Sequence, residues 1–139
     1  MRAMVDLAVH HGSGSILLKD IASRQEISLK YLEQLITPLR AAGLVRGLRG
    51  ANGGYMLARD PADIRLVEII SALEGSLAPV ACLEGERDCT RCLHCATQEL
   101  WDKIYHAISD ILEHQTLMEL ATRQTDIQKM MPASSMYYI

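Results

Sequence analysis

Four of the 139 residues are cysteines, and all four fall within fourteen positions: Cys82, Cys89, Cys92 and Cys95. Nothing at the start of the chain reads as a secretory signal, and clustered thiols in that context favour metal or redox chemistry over a disulfide framework. Four unrelated buried thiols are a poor reading at this density. A structural zinc site usually takes two separated pairs of ligands. The run Cys89-x2-Cys92-x2-Cys95 instead has the short spacing of ferredoxin-type iron–sulfur ligation. His94 lies between two of these cysteines and reads more simply as a solvated loop histidine. His106 and His114 are expected on the surface of a helix. No nucleophile elbow, phosphate loop or H-E-x-x-H helix is present, so no catalytic constellation is expected.

A second chemistry is written in the first half of the chain. Net charge is −3, but residues 1–60 carry eight Lys/Arg against five Asp/Glu, a balance of +3; the rest carry six against twelve, a balance of −6. From Arg40 to Arg59 there are four arginines (Arg40, Arg46, Arg49, Arg59) and no acid. A basic strip on an acidic chain is the electrostatic footprint of a nucleic-acid contact. Just before it stand Ser28, Lys30, Tyr31, Glu33 and Gln34. Gln can pair bidentately with adenine, Glu can accept from cytosine N4 and Ser can serve either, while Lys30 and Tyr31 suit phosphates.

These residues need elements to hold them. Met4, Leu7, Ala8 and His11 open the chain at helical spacing, without a cap, and Gly12 to Ser15 end that helix. Leu17, Leu18, Ile21 and Ala22 predict a short second helix, with Arg24-Gln25-Glu26 as a polar turn. Ser28 suits the N-cap of a third helix that buries Leu29, Leu32, Leu35, Ile36 and Leu39 and exposes Lys30, Glu33, Gln34 and Thr37. It is expected to run to Ala42 and stop at Gly43, with a kink or early finish at Pro38. Residues 44–57 form two short apolar segments around a Gly-rich tip. Asn52-Gly53 there is a type I′ hairpin signal, and Asp60-Pro61 closes the hairpin. Arg49 lies nearest the tip, and an Arg at such a tip suits a narrow minor groove. Arg46 and Asn52 join it as candidate DNA contacts.

A helix over Leu66–Leu73 is expected to end at Gly75. After the cysteine loop a long helix runs from about Ala96 to Glu113, with Leu100, Ile104, Ala107, Ile108, Ile111 and Leu112 as its apolar stripe. Thr116 and Glu119 make a capping box for one last short helix. Two helices, a glycine stop and a Gly-tipped hairpin follow one another in the order of a winged helix-turn-helix. The expected fold is therefore mainly α with a small β-hairpin. Residues 1–75 would form the winged DNA-binding domain, 76–95 the cysteine loop, 96–122 a dimerisation helix and a short helix, and 123–139 a tail. Nothing approaches the roughly 18 consecutive apolar residues of a membrane span, so a cytoplasmic protein is expected.

Three separated segments carry a family likeness: Ile27 to Leu35 (ISLKYLEQL), Arg49 to Tyr55 (RGANGGY) and Cys95 to Trp101 (CATQELW). In these and their order the chain resembles the Rrf2 family of bacterial regulators, from Met1 to about Leu120. The resemblance implies a homodimeric winged-helix protein joined largely through the long helix, here by Leu100, Ile104, Ile108, Ile111 and Leu112. It implies that Ser28, Tyr31, Glu33 and Gln34 lie on the recognition helix and Arg49 in the wing. It further implies a 2Fe–2S or 4Fe–4S cluster on Cys82, Cys89 and Cys95, at intervals of six and five residues, with Cys92 as an extra thiol that could be the fourth ligand. Some relatives use a His three residues after the last Cys; this chain has Gln98. Family members usually start about ten residues earlier with a basic segment, so the chain is expected to be truncated. Ala51-Asn52 stands where Pro-Gly is common, and Glu26 where the turn often has Gly.

The reading that results is a dimeric transcription regulator, a repressor or activator, that binds a pseudo-palindromic operator under control of an iron–sulfur cluster. The competing readings are an iron–sulfur electron-transfer module and a zinc-stabilised interaction adaptor. The basic strip and glycine-rich wing argue against the first, since an electron carrier needs neither.

Overall fold

A computed structural model describes residues 1–50, 53–85 and 94–130 of the chain. The described elements are six helices and one hairpin: α1 (Arg2–Val9), α2 (Leu18–Gln25), α3 (Leu29–Ala41), β1 (Val45–Leu48), β2 (Gly54–Leu57), α4 (Leu66–Glu74), α5 (Ala96–His114) and α6 (Leu117–Met130). The winged helix-turn-helix order read from the sequence is the order found.

Apolar residues at helical spacing decide which faces turn inward. Met4 and Leu7 of α1, Ile21 of α2, Leu32, Ile36 and Leu39 of α3, Ile69 of α4 and Leu117 of α6 meet in one core. Leu44, Val45 and Leu57 carry the base of the hairpin into it. Each large side chain buried this way contributes about 1.5–3 kcal/mol. Helix α6 packs on α1, so the end of the described chain closes over its beginning. Its entry is stitched to α4: Leu117 N–H donates to the Ile64 carbonyl at 2.8 Å and Leu66 N–H to that of Gln115 at 3.0 Å.

Helix α2 runs on through Arg24 and Gln25, which the sequence suggested as turn, and the chain reverses at Glu26 with φ 51°. That left-handed value is costly for a residue with a Cβ and free for glycine. Pro38 does not end α3; it lies in the last turn, with the helix running on to Ala41 and Gly43 following at φ 69°. The carbonyl Pro38 leaves without a helical donor is that of Gln34, an exposed residue. Leu29 is exposed at 41% where burial was expected, because it sits at the first position of the helix and points past the core.

The hairpin pairs Val45 with Leu57 and Leu48 with Gly54. Its strands are joined by residues 49–53, so the connection is longer than a two-residue type I′ turn; Gly53 N–H closes it on the Gly50 carbonyl at 2.9 Å. Thr116 and Glu119 do form the expected capping box: Glu119 N–H donates to Thr116 Oγ1 at 3.2 Å and Thr116 N–H to Glu119 Oε2 at 2.7 Å. The helix they start continues to Met130, past residue 122 where the sequence reading ended it. No helix among the described residues is long and apolar enough to cross a membrane.

Candidate nucleic-acid interface and cysteine site

Helix α3 is positioned at its start by Ser28, whose Oγ accepts the Tyr31 N–H at 3.4 Å while its own O–H stays available as a donor. Leu32, Ile36 and Leu39 anchor the inner face. The outer face therefore presents Lys30, Tyr31, Glu33, Gln34 and Thr37, all exposed, as a continuous polar surface.

The wing is held from two sides. Beside the β1–β2 pairing, Ile16 forms a bridge to Tyr55, with Ile16 N–H to the Tyr55 carbonyl at 2.9 Å and Tyr55 N–H to that of Ile16 at 2.8 Å. Arg46 on β1 and Arg49 just beyond it are exposed. Asn52, the remaining wing candidate, lies outside the described residues.

The arginines of the basic strip separate by their partners. Arg59 is committed: it donates to the Glu68 carboxylate and, at 3.2 Å, to the Asp63 carbonyl. Partial burial opposes ionisation of Glu68, yet the Arg65 N–H and the Arg59 guanidinium outweigh it and hold that carboxyl below its usual range. Arg24, outside the strip, is likewise committed, gripping buried Asp6 at 2.6 and 3.0 Å. Arg40, Arg46 and Arg49 have no ion-pair partner among the described residues. Arg40, in the last turn of α3, lines the gap between that helix and the wing; it was not among the contacts expected from the sequence, although the basic strip contains it.

Of the cysteines, Cys89 and Cys92 lie outside the described residues. Cys82 is half-buried on a short 3-10 turn, Ala81–Leu83. Cys95 is the N-cap residue of α5, with its Sγ 3.0 Å from Thr97 Oγ1. Among the described residues no three His, Cys, Asp or Glu side chains gather in a way that could hold a metal ion. The donor chemistry of the two described thiols fits an iron–sulfur cluster, since both are soft sulfur ligands at the ends of one segment. His106 and His114 are exposed and bond back to the Asp102 and Asp110 carbonyls, as surface histidines on a helix do.

The stripe of α5 splits in two. Leu100, Ile108 and Ile111 are exposed at 54%, 44% and 57%, and Ile104 is half-buried. Leu112 packs against the chain's own core.

Residues 1–123 match the family described as "Rrf2: Iron-dependent Transcriptional regulator". The chain is 44% identical over 119 residues to the HTH-type transcriptional regulator CymR of Bacillus subtilis, covering 86% of this chain and 81% of that protein. The structure of that protein, the global cysteine regulator of B. subtilis, superposes with a TM-score of 0.73 over 86% of this chain and 88% of its own, at 43% identity. The HTH-type transcriptional regulator IscR of Photobacterium profundum is 42% identical over 127 residues, 91% of this chain and 73% of its own. The structure of T. potens IscR superposes with a TM-score of 0.72 at 42% identity, over 99% of this chain and 89% of its own.

Proposed function

From the premise that this chain belongs to the Rrf2 family of transcriptional regulators, we propose that it is a homodimeric operator-binding protein whose DNA affinity is set by an iron–sulfur cluster. The relatives it matches are transcriptional regulators and not enzymes. The observation that carries the reading is the joint exposure of one polar helix face and an arginine-bearing wing on a chain whose other half holds four clustered cysteines. In this reading Gln34 and Glu33 read base edges, Ser28, Lys30 and Tyr31 set register on phosphates, and Arg46, Arg49 and Asn52 contact DNA from the wing.

Cys82, Cys89 and Cys95 would hold the cluster, with Cys92 or a residue outside the loop as fourth ligand. A cluster held there would supply the signal through its gain or loss. The residues that transmit it are those of this chain. Cys95 starts α5, α5 packs on α4, and α4 packs on α3. A change at the loop therefore has a packed route to the helix that reads DNA, and it acts by favouring one spacing of the two recognition helices.

The likeness to CymR favours a second reading, in which the same DNA-binding fold answers to cysteine supply and no cluster is involved. Iron and sulfide content of anaerobically purified protein separates the two. The first reading expects both, lost in Cys82→Ala, Cys89→Ala and Cys95→Ala; loss in Cys92→Ala as well would make it the fourth ligand. Protein purified without iron, or with zinc alone, would overturn it.

A further inference from the structure

The gap between the reading helix and the wing has its own chemistry. A depression of about 480 Å³ is lined by Thr37, Arg40 and Ala41 from α3 and by Val45, Arg46 and Gly47 from β1. A smaller one of about 250 Å³ beside it is lined by Arg40, Gly47, Leu48, Arg49, Gly54 and Tyr55. Arg40 lines both. Arg40 and Arg46 thus flank one cleft from opposite elements, with the Thr37 hydroxyl as a further donor and no ion-pair partner for either arginine among the described residues. By contrast, Arg24 and Arg59 are each tied to a carboxylate.

Resting on the DNA-binding reading above, we propose that this cleft is a seat for a single backbone phosphate of the DNA, held jointly by Arg40 and Arg46. Two guanidinium groups and a hydroxyl match the oxygens of one phosphodiester. One phosphate held from both sides also fixes the angle between helix and wing, so it positions without reading sequence. The alternative role for Arg40, compensating the partial negative charge at the C-terminal end of α3, needs no DNA and affects stability alone.

Because the contact is independent of sequence, a mixed-sequence 30-base-pair duplex serves as probe. Fluorescence anisotropy over a KCl series gives affinity and its salt slope for the full chain. Arg40→Gln and Arg46→Gln should each weaken binding roughly a hundredfold near 0.1 M salt and lower the slope by about two, one for each protomer of the dimer. The double variant should lower it by about two as well, because one phosphate per protomer is lost in every case. Arg40→Lys should keep the parental slope, and the thermal midpoint should not move. Arg123→Gln on α6 is the charge control and should bind as the parent does. A double variant that loses about four units of slope, two per protomer, places the arginines on separate phosphates and overturns the shared seat. Parental binding in both single variants, or a lowered thermal midpoint with an unchanged slope, overturns it too. If the parent itself fails to bind duplex, the DNA-binding reading falls and takes this inference with it.

Discussion

At the scale of single residues, the buried charge among the described residues is Asp6, 4% exposed. Burial pushes its carboxyl pKa up, but hydrogen bonds from Arg24 and from Gln25 Nε2 at 2.9 Å, with the charge of Arg24, win and leave it below the ordinary value. Folding therefore favours the ionised form. The stabilisation is complete above the unfolded carboxylate value of about 3.9 and is lost as pH falls through the lower folded value. Asp6→Asn should cost about 1–3 kcal/mol at neutral pH, well short of a fully buried pair, because Arg24 keeps part of its side chain in water. Thermal midpoints from pH 7 down to 2 should fall more steeply for the parent than for the variant below pH 4; parallel curves would show that Asp6 is not the linked group. This pairing was not legible in the sequence, since Asp6 and Arg24 lie eighteen residues apart on different helices. The exposed Lys30, Glu33 and Gln34 were legible, because helical period alone turns them away from Leu32, Ile36 and Leu39.

Among the elements, those whose ends are set locally were readable and those set by distant partners were not. Ser28, Gly43, Gly75 and the Thr116–Glu119 box act within four residues, and each marks a helix end where the sequence suggested it. The wing depends on Ile16, some forty residues earlier, and no local pattern announces that bridge. Gly54 is where the two meet: at φ 155°, a Cβ there would lie 2.6 Å from the Ile16 carbonyl oxygen. Backbone cannot step aside as a side-chain tip can, so Gly54→Ala must move the wing away from Ile16. The expected cost is about 1–3 kcal/mol, with DNA affinity falling further than the midpoint shift alone explains. Gly12→Ala provides the comparison, because its φ of 87° is also unfavourable but nothing lies within 4 Å of the added carbon. Equal DNA affinity in the two variants would mean that the Ile16 bridge does not hold the wing in place.

For the whole molecule, charge and apolar surface point to the same assembly. The first 60 residues carry +3 and the remainder −6, so attraction to DNA rests with the first part of the chain and not with the rest. Helix α5, in the acidic part, contributes no fully buried residue to its own chain across 19 residues, yet Leu100, Ile108 and Ile111 lie exposed along one stripe. Ile104 extends that stripe, whereas Leu112, equally apolar in the sequence, is turned into the core; periodicity could not separate the two uses of one helix. A helix left this bare is the surface on which a second copy would bury itself, and a two-fold axis through it would give two recognition helices for two half-sites. Light scattering at micromolar concentration should return twice the chain mass. The pair Ile108→Glu and Ile111→Glu should return the single mass with an unchanged far-ultraviolet spectrum, because neither side chain supports the fold of one chain. Operator affinity should then fall by about 10²- to 10⁴-fold, the gain that linked half-sites provide. A variant that stays dimeric would move the interface off α5, and a monomeric variant with parental affinity would remove the need for two reading helices.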